Sequence, residues 1–267
     1  MNKLIAFGDS FTWGTDLNDD WLTSEMPLVN GVKNPKDSEV EYTMDTFFDG
    51  WKDYSHETWT ALLANELGMR YVCHASPGAS NGTILRRILS NVNSLNRGDF
   101  VVVNWTWIDR WDMFDISNDE WVTLRPHMNK SDGVLVTPKD DGNDVQVRLD
   151  IDPNLHKFYY KYIQSELWDK LETLKNMALI INILEGMGIR FITTCVDKLS
   201  INTEFHAPQY ILELQDMVSS KLTWFDSDGF YDWSMKNNFP VGETGHPLEE
   251  AHQTAFEYIK NNHDFTK

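Results

Sequence analysis

A serine that closes a short apolar run near the start of the chain, and a histidine set three residues after an acid near its end, are the residues best suited to do chemistry together. Residues 4–10 read Leu-Ile-Ala-Phe-Gly-Asp-Ser, and residues 242–247 read Gly-Glu-Thr-Gly-His-Pro. A serine hydroxyl is a poor nucleophile until a base takes its proton. An imidazole does this best when an acceptor on its second nitrogen fixes tautomer and orientation. Ser10 as nucleophile, His246 as base and Glu243 as the orienting acid would together attack an acyl carbonyl.

Such a site needs elements that carry the serine and the histidine to one place. An apolar run ended by glycine suits a buried parallel strand, and reactive groups in open α/β sheets collect just beyond the carboxyl ends of strands. Gly8 lets the backbone leave sharply, and Gly14 permits close approach one turn later. Strand patterns at 4–7, 71–73, 100–103 and 189–195 alternate with helical spacing at 55–67, 81–89, about 155–185 and 208–219. A short strand at 223–226 and a last helix at 248–259 follow. Five strands separated by helices predict a parallel sheet covered on both faces, a three-layer α/β/α sandwich.

The blocks at the strand ends resemble those of the SGNH (GDSL-type) hydrolase family. Gly8-Asp9-Ser10 matches its first block, and His246-Pro247 with His252 a turn and a half later matches its last, with Glu243 where the family has Asp. Residues 71–81 resemble its second block, with Gly78 at the oxyanion position. The resemblance implies a flavodoxin-like strand order and a serine ester hydrolase that needs no cofactor. In that reading the backbone amides of Ser10 and Gly78 hold the oxyanion.

The third block departs from the family's Gly-x-Asn-Asp. Aligning Asp109 with its final Asp puts Thr106 at the glycine and Ile108 at the asparagine, and isoleucine cannot donate. Asn104, if the strand ends early, and Thr106, if the family register holds, are the two candidate third donors. Loss of one such donor costs about a hundred- to a thousand-fold in rate. The compact form of the motifs, with Trp105-Thr106 and Gly245-His246-Pro247, also resembles SGNH-like proteins of tailed bacteriophages. That resemblance implies, as the alternative, a non-catalytic binding or virion module.

Composition bounds the partners. The 267 residues suit one domain spanning 1–267, and 41% hydrophobic with 24% charged residues is ordinary for a globular chain. A formal net charge of −18 argues against nucleic acid and against an anionic membrane surface. Cys73 and Cys195 fall in apolar strand patterns and read as free thiols, and the histidines are too scattered for a metal site. The first apolar run is needed as a core strand and is not read as a secretory signal, so cytoplasmic synthesis is expected, with the virion as the final location in the phage reading.

Two stretches interrupt the alternation. Residues 15–53, acidic and without sustained period, read as an excursion that could form a lid. Residues 112–154 contain alternating segments around Asp140-Asp141-Gly142-Asn143 that predict an inserted hairpin, serving as local cover, oligomer contact or substrate arm. Trp13, Trp105, Trp107 and Trp111 fall near the site loops, where rings either stack on a sugar or acyl group or pack the core. Arg110 either binds a substrate carboxylate or pairs with a neighbouring acid. The substrate class these features favour is a small acyl ester, such as an O-acetyl group on a glycan.

Overall fold

Strand β1 (Lys3–Phe7) is buried from Leu4 to Phe7 because it has a parallel neighbour on each side. In this computed structural model, which describes residues 2–17, 54–116, 120–126, 134–138, 144–148, 157–242 and 244–265, those neighbours are β2 (Arg70–Cys73) and β3 (Phe100–Trp105). Lys3 pairs with Arg70 on one side, and Leu4 with Phe100 on the other. Two antiparallel hairpins follow β3: β4 (Trp111–Asp115) with β5 (Glu120–Leu124), then β6 (Val134–Pro138) with β7 (Asp144–Arg148). Strand β8 (Arg190–Cys195) returns to the main sheet beside β3, giving the order β2-β1-β3-β8.

Helices cover both faces, as parallel crossovers require. In chain order they are α1 (Ser10–Trp13), α2 (Trp59–Glu66), α3 (Asn81–Asn91), α4 (Glu166–Met187), α5 (Gln209–Ser219), α6 (Phe230–Lys236) and α7 (Glu249–Asn262). On one face Ile5, Phe7, Val101 and Val103 pack with Ile84 and Ile88 of α3 and Leu174 and Met177 of α4. On the other, Leu4, Ala6, Phe100 and Val102 pack with Trp59 and Leu63 of α2 and Ala251, Ala255 and Ile259 of α7. The expected α/β/α architecture is the one observed.

Three expectations are corrected. Among the described residues the main sheet has four strands, not five. The segment expected at 223–226 makes a single parallel bridge, Leu222 with Thr193, in which Thr223 N–H donates to the Thr193 carbonyl at 2.8 Å. The ladder stops there because the chain turns at once: Asp226 and Ser227 take positive φ (47° and 72°), folding Phe225 back onto Asp228. The helical region expected from 155 is broken. A π-helical turn at Tyr159–Ile163 precedes α4, which starts at an N-cap where the Ser165 side chain accepts from Trp168 N–H. Helix α4 ends at Gly188, whose φ of +67° favours glycine.

The predicted hairpin of the second insertion is β6–β7. The β4–β5 hairpin before it was not anticipated. It buries Val122 and Leu124 with Tyr159, Trp111 and Met113 in a small core separate from those of the sheet. Residues 18–53, most of the expected lid, lie outside the described residues.

Candidate active site

The chain leaves β1 through Gly8, where even a methyl group would collide: a Cβ there would lie 2.2 Å from Thr12 Oγ1 and 3.3 Å from Asn104 Cβ. Asp9 then caps α1, its Oδ1 accepting from Phe11 N–H at 3.1 Å. Ser10 is thereby fixed as the first residue of α1, just past the carboxyl end of a central strand. The short helix closes at Gly14, in the left-handed region at φ +91°, whose N–H returns to the Ser10 carbonyl at 2.9 Å.

His246 arrives from the other end of the chain on a tight loop. Gly242 N–H donates to the His246 carbonyl at 2.8 Å, Val241 bridges Pro247, and Gly245 takes a φ of +85°. The His246 Nε2 lies 2.7 Å from Ser10 Oγ. Burial pushes the imidazole below its ordinary pKa, outweighing Asp9 and Asp16, which raise it, while Arg110 lowers it further. The ring is therefore neutral at neutral pH and able to accept a proton.

Behind the ring the structure gives contacts that the sequence did not suggest. His246 Nδ1 is 2.7 Å from Thr244 Oγ1, and that hydroxyl is 2.6 Å from Asp16 Oδ2. Thr244 N–H donates to the same carboxylate oxygen at 2.9 Å, and Asp16 Oδ2 itself lies 3.6 Å from Nδ1. Glu243, the expected acid, lies outside the described residues. Asp16 carries no local signal, because its partners are more than two hundred residues away in sequence.

The third block does not offer its side chains to the oxyanion. Thr106 Oγ1 donates to Asp9 Oδ2 at 2.6 Å. A hydroxyl has one proton to give, so Thr106 is not the third donor. The backbone of Thr106 is held by the Asn81 amide, which accepts from its N–H at 2.8 Å and donates to its carbonyl at 3.0 Å. Asn104 stays within β3, opposite Thr194, because the strand runs on to Trp105. Its amide is fully buried and has no hydrogen-bond partner among the described residues. Arg110 pairs with the buried Asp9 carboxylate at 3.3 Å, donates to the Ala79 carbonyl at 2.6 Å and lies over the Trp107 ring. Of its two readings, the neighbouring acid is the one observed.

Gly78 sits in the loop before α3 at φ +81°, where a Cβ would meet Arg125 Nη1 at 3.3 Å. None of the backbone hydrogen bonds among the described residues engages the N–H of Ser10 or of Gly78. Half-buried Trp107 and Tyr231 pack edge-to-face with each other and both contact Phe11, whose ring in turn lies 4.9 Å from that of His246, tilted by 50°. Trp105 is core, Trp111 stacks on Tyr159, and Trp13 packs edge-to-face against Tyr54. His252 is buried beneath the site, its Nδ1 accepting from Trp59 N–H at 3.3 Å, and burial lowers its pKa to about 3. Neither cysteine forms a disulfide among the described residues; Cys195 is buried and Cys73 half-buried. No cluster of three or more metal-ligating side chains occurs among the described residues, and none of their helices is long and apolar enough to cross a membrane.

No protein-family model matches the chain, and no curated protein does. Among solved structures it is similar to a member of the lipolytic G-D-S-L family from Veillonella parvula, at 9% identity and a TM-score of 0.43, over 100% of each chain. It is similar also to TesA, at 12% identity and a TM-score of 0.46 over 97% of each chain. An acetyl xylan esterase from the rumen bacterium Butyrivibrio proteoclasticus matches at 10% identity and a TM-score of 0.40, over 97% of this chain and 64% of that one. Likeness at this level assigns no chemistry, which rests on the geometry of Ser10 and His246.

Proposed function

We propose that the chain is a serine ester hydrolase of the SGNH type acting on a small acyl ester, with O-acetylated glycans as the favoured class. The observation that carries this reading is the 2.7 Å contact between Ser10 Oγ and the Nε2 of an imidazole kept neutral by burial. Ser10 attacks the ester carbonyl as His246 takes its proton, forming the C–O bond to serine. The tetrahedral oxyanion is held by the backbone N–H groups of Ser10 and Gly78, neither of which donates to a backbone carbonyl among the described residues. Protonated His246 returns its proton to the departing alcohol, and water reverses the sequence to release the acid. With Thr106 committed to Asp9, the oxyanion hole rests on backbone amides. Trp107 and Tyr231 supply an aromatic surface close to His246 for the sugar or acyl part.

The test is hydrolysis of an activated acetyl ester and of acetylated oligosaccharides by the wild-type protein and by Ser10→Ala at equal folding. Turnover that disappears with Ser10 supports the reading. A folded wild-type protein with no turnover on either substrate contradicts it and favours the alternative, a binding or virion module that keeps the fold without the reaction.

A further inference from the structure

We infer that Asp16, acting through the hydroxyl of Thr244, is the acid that positions His246, so that the orienting carboxylate comes from the segment just after the nucleophile helix and not from Glu243. This deepens the hydrolase reading and names positioning residues for it.

Hydrogen-bond direction carries the argument. An ionised carboxylate only accepts, so the 2.6 Å contact between Thr244 Oγ1 and Asp16 Oδ2 uses the single hydroxyl proton. The same oxygen, having no second proton, must accept in its 2.7 Å contact with His246 Nδ1. Nδ1 therefore carries the ring proton, and Nε2 is left with a lone pair facing Ser10 Oγ. One chain of donors, from Ser10 to His246 to Thr244 to Asp16, fixes the tautomer that general-base catalysis needs. When the ring takes the serine proton, the Asp16 charge 3.6 Å from Nδ1 stabilises the imidazolium.

The surrounding backbone is shaped for this contact. Asp16 adopts φ +70°, a left-handed conformation that Asp tolerates better than most residues. Gly242 faces it so closely that a Cβ there would lie 2.4 to 2.6 Å from the Asp16 side chain. Thr244 N–H supplies a second bond to the same oxygen. The other charged or titratable groups acting on the His246 ring are Asp9 and Arg110, already paired with each other, and His252.

The experiment is NMR titration of the His246 ring, its signals assigned by their loss in His246→Gln, in the wild-type protein and in Asp16→Asn, Thr244→Val, Thr244→Ser and Glu243→Gln. Asp16→Asn is expected to lower the His246 pKa by about one unit, since it removes the charge that favours the imidazolium. Thr244→Val should lower it by less, and Thr244→Ser should restore it. This readout does not require turnover, so it stands whether or not the hydrolase reading does. Where turnover is measurable, Asp16→Asn should reduce kcat by about a hundredfold or more with little change in KM. An unchanged His246 pKa in Asp16→Asn overturns the inference, as does a fall produced by Glu243→Gln in its place.

Discussion

Two carboxylates flank the helix that carries Ser10, and they are built for opposite purposes. Asp9 is fully buried and holds three donors, the Phe11 N–H, the Thr106 hydroxyl and the Arg110 guanidinium, so it ties the nucleophile's turn to the loop after β3. Asp16 lies nearer the surface, in a left-handed backbone conformation, and its described contacts lead to the base. The difference separates scaffold from chemistry. A buried acid holding three donors acts on the imidazole only through its charge, whereas Asp16 is also hydrogen-bonded to it through one hydroxyl.

The comparison can be broken on the Asp9 side by Arg110→Ala. Removing one partner leaves an uncompensated buried charge, so a stability loss of about 3–5 kcal/mol is expected in urea denaturation. A loss below about 1 kcal/mol would mean that Asp9 is not clamped as described. The next largest effect is pH-dependent and lies at His252. Its folded pKa, depressed to about 3, sits below the 6.5 of an unfolded chain, so the unfolded state binds more protons between those values. Stability is then fully present above about pH 6.5 and is lost as pH falls toward 3. His252→Gln should flatten that loss, measured as melting temperature against pH.

On the Asp16 side, Asp16→Asn should leave the urea midpoint nearly unchanged while shifting the His246 titration. A large stability loss without a shift would make Asp16 a second clamp. The smallest effect is expected at the aromatic surface. Trp107→Ala should raise KM for an acetylated sugar by about three- to tenfold, with kcat little altered. A fall in kcat alone would place the ring's role in holding Phe11 and His246, not in contacting substrate.

What the sequence made legible follows the range of the interactions involved. Ser10 and His246 stand out because each is announced by its own neighbours, glycine and a strand for one, glycine and proline before a helix for the other. The α/β/α layers were legible because buried parallel strands are continuously apolar and the helices between them keep a 3.6-residue period. Asp16 and Thr244 were not legible, since what makes them partners is a contact between the two ends of the chain. Thr106 stays one of two candidate oxyanion donors in the sequence for the same reason: its acceptor, Asp9, is 97 residues away. The β4–β5 hairpin did leave a signal, the alternation of Trp111 with Met113 and of Val122 with Leu124. The short strand expected at 223–226 failed because positive-φ residues turn the chain before a ladder can extend.

The most direct test of the central claim, that Ser10 is activated by a neutral His246, is labelling by a serine-directed fluorophosphonate probe across pH. The geometry predicts stoichiometric labelling of the wild-type protein, none in Ser10→Ala, and strongly slowed labelling in His246→Gln. The rate should rise through a single ionisation lying below the ordinary histidine value, because burial holds the His246 pKa down. Absence of labelling at every pH from neutral to mildly alkaline, or labelling that persists in Ser10→Ala, would contradict it.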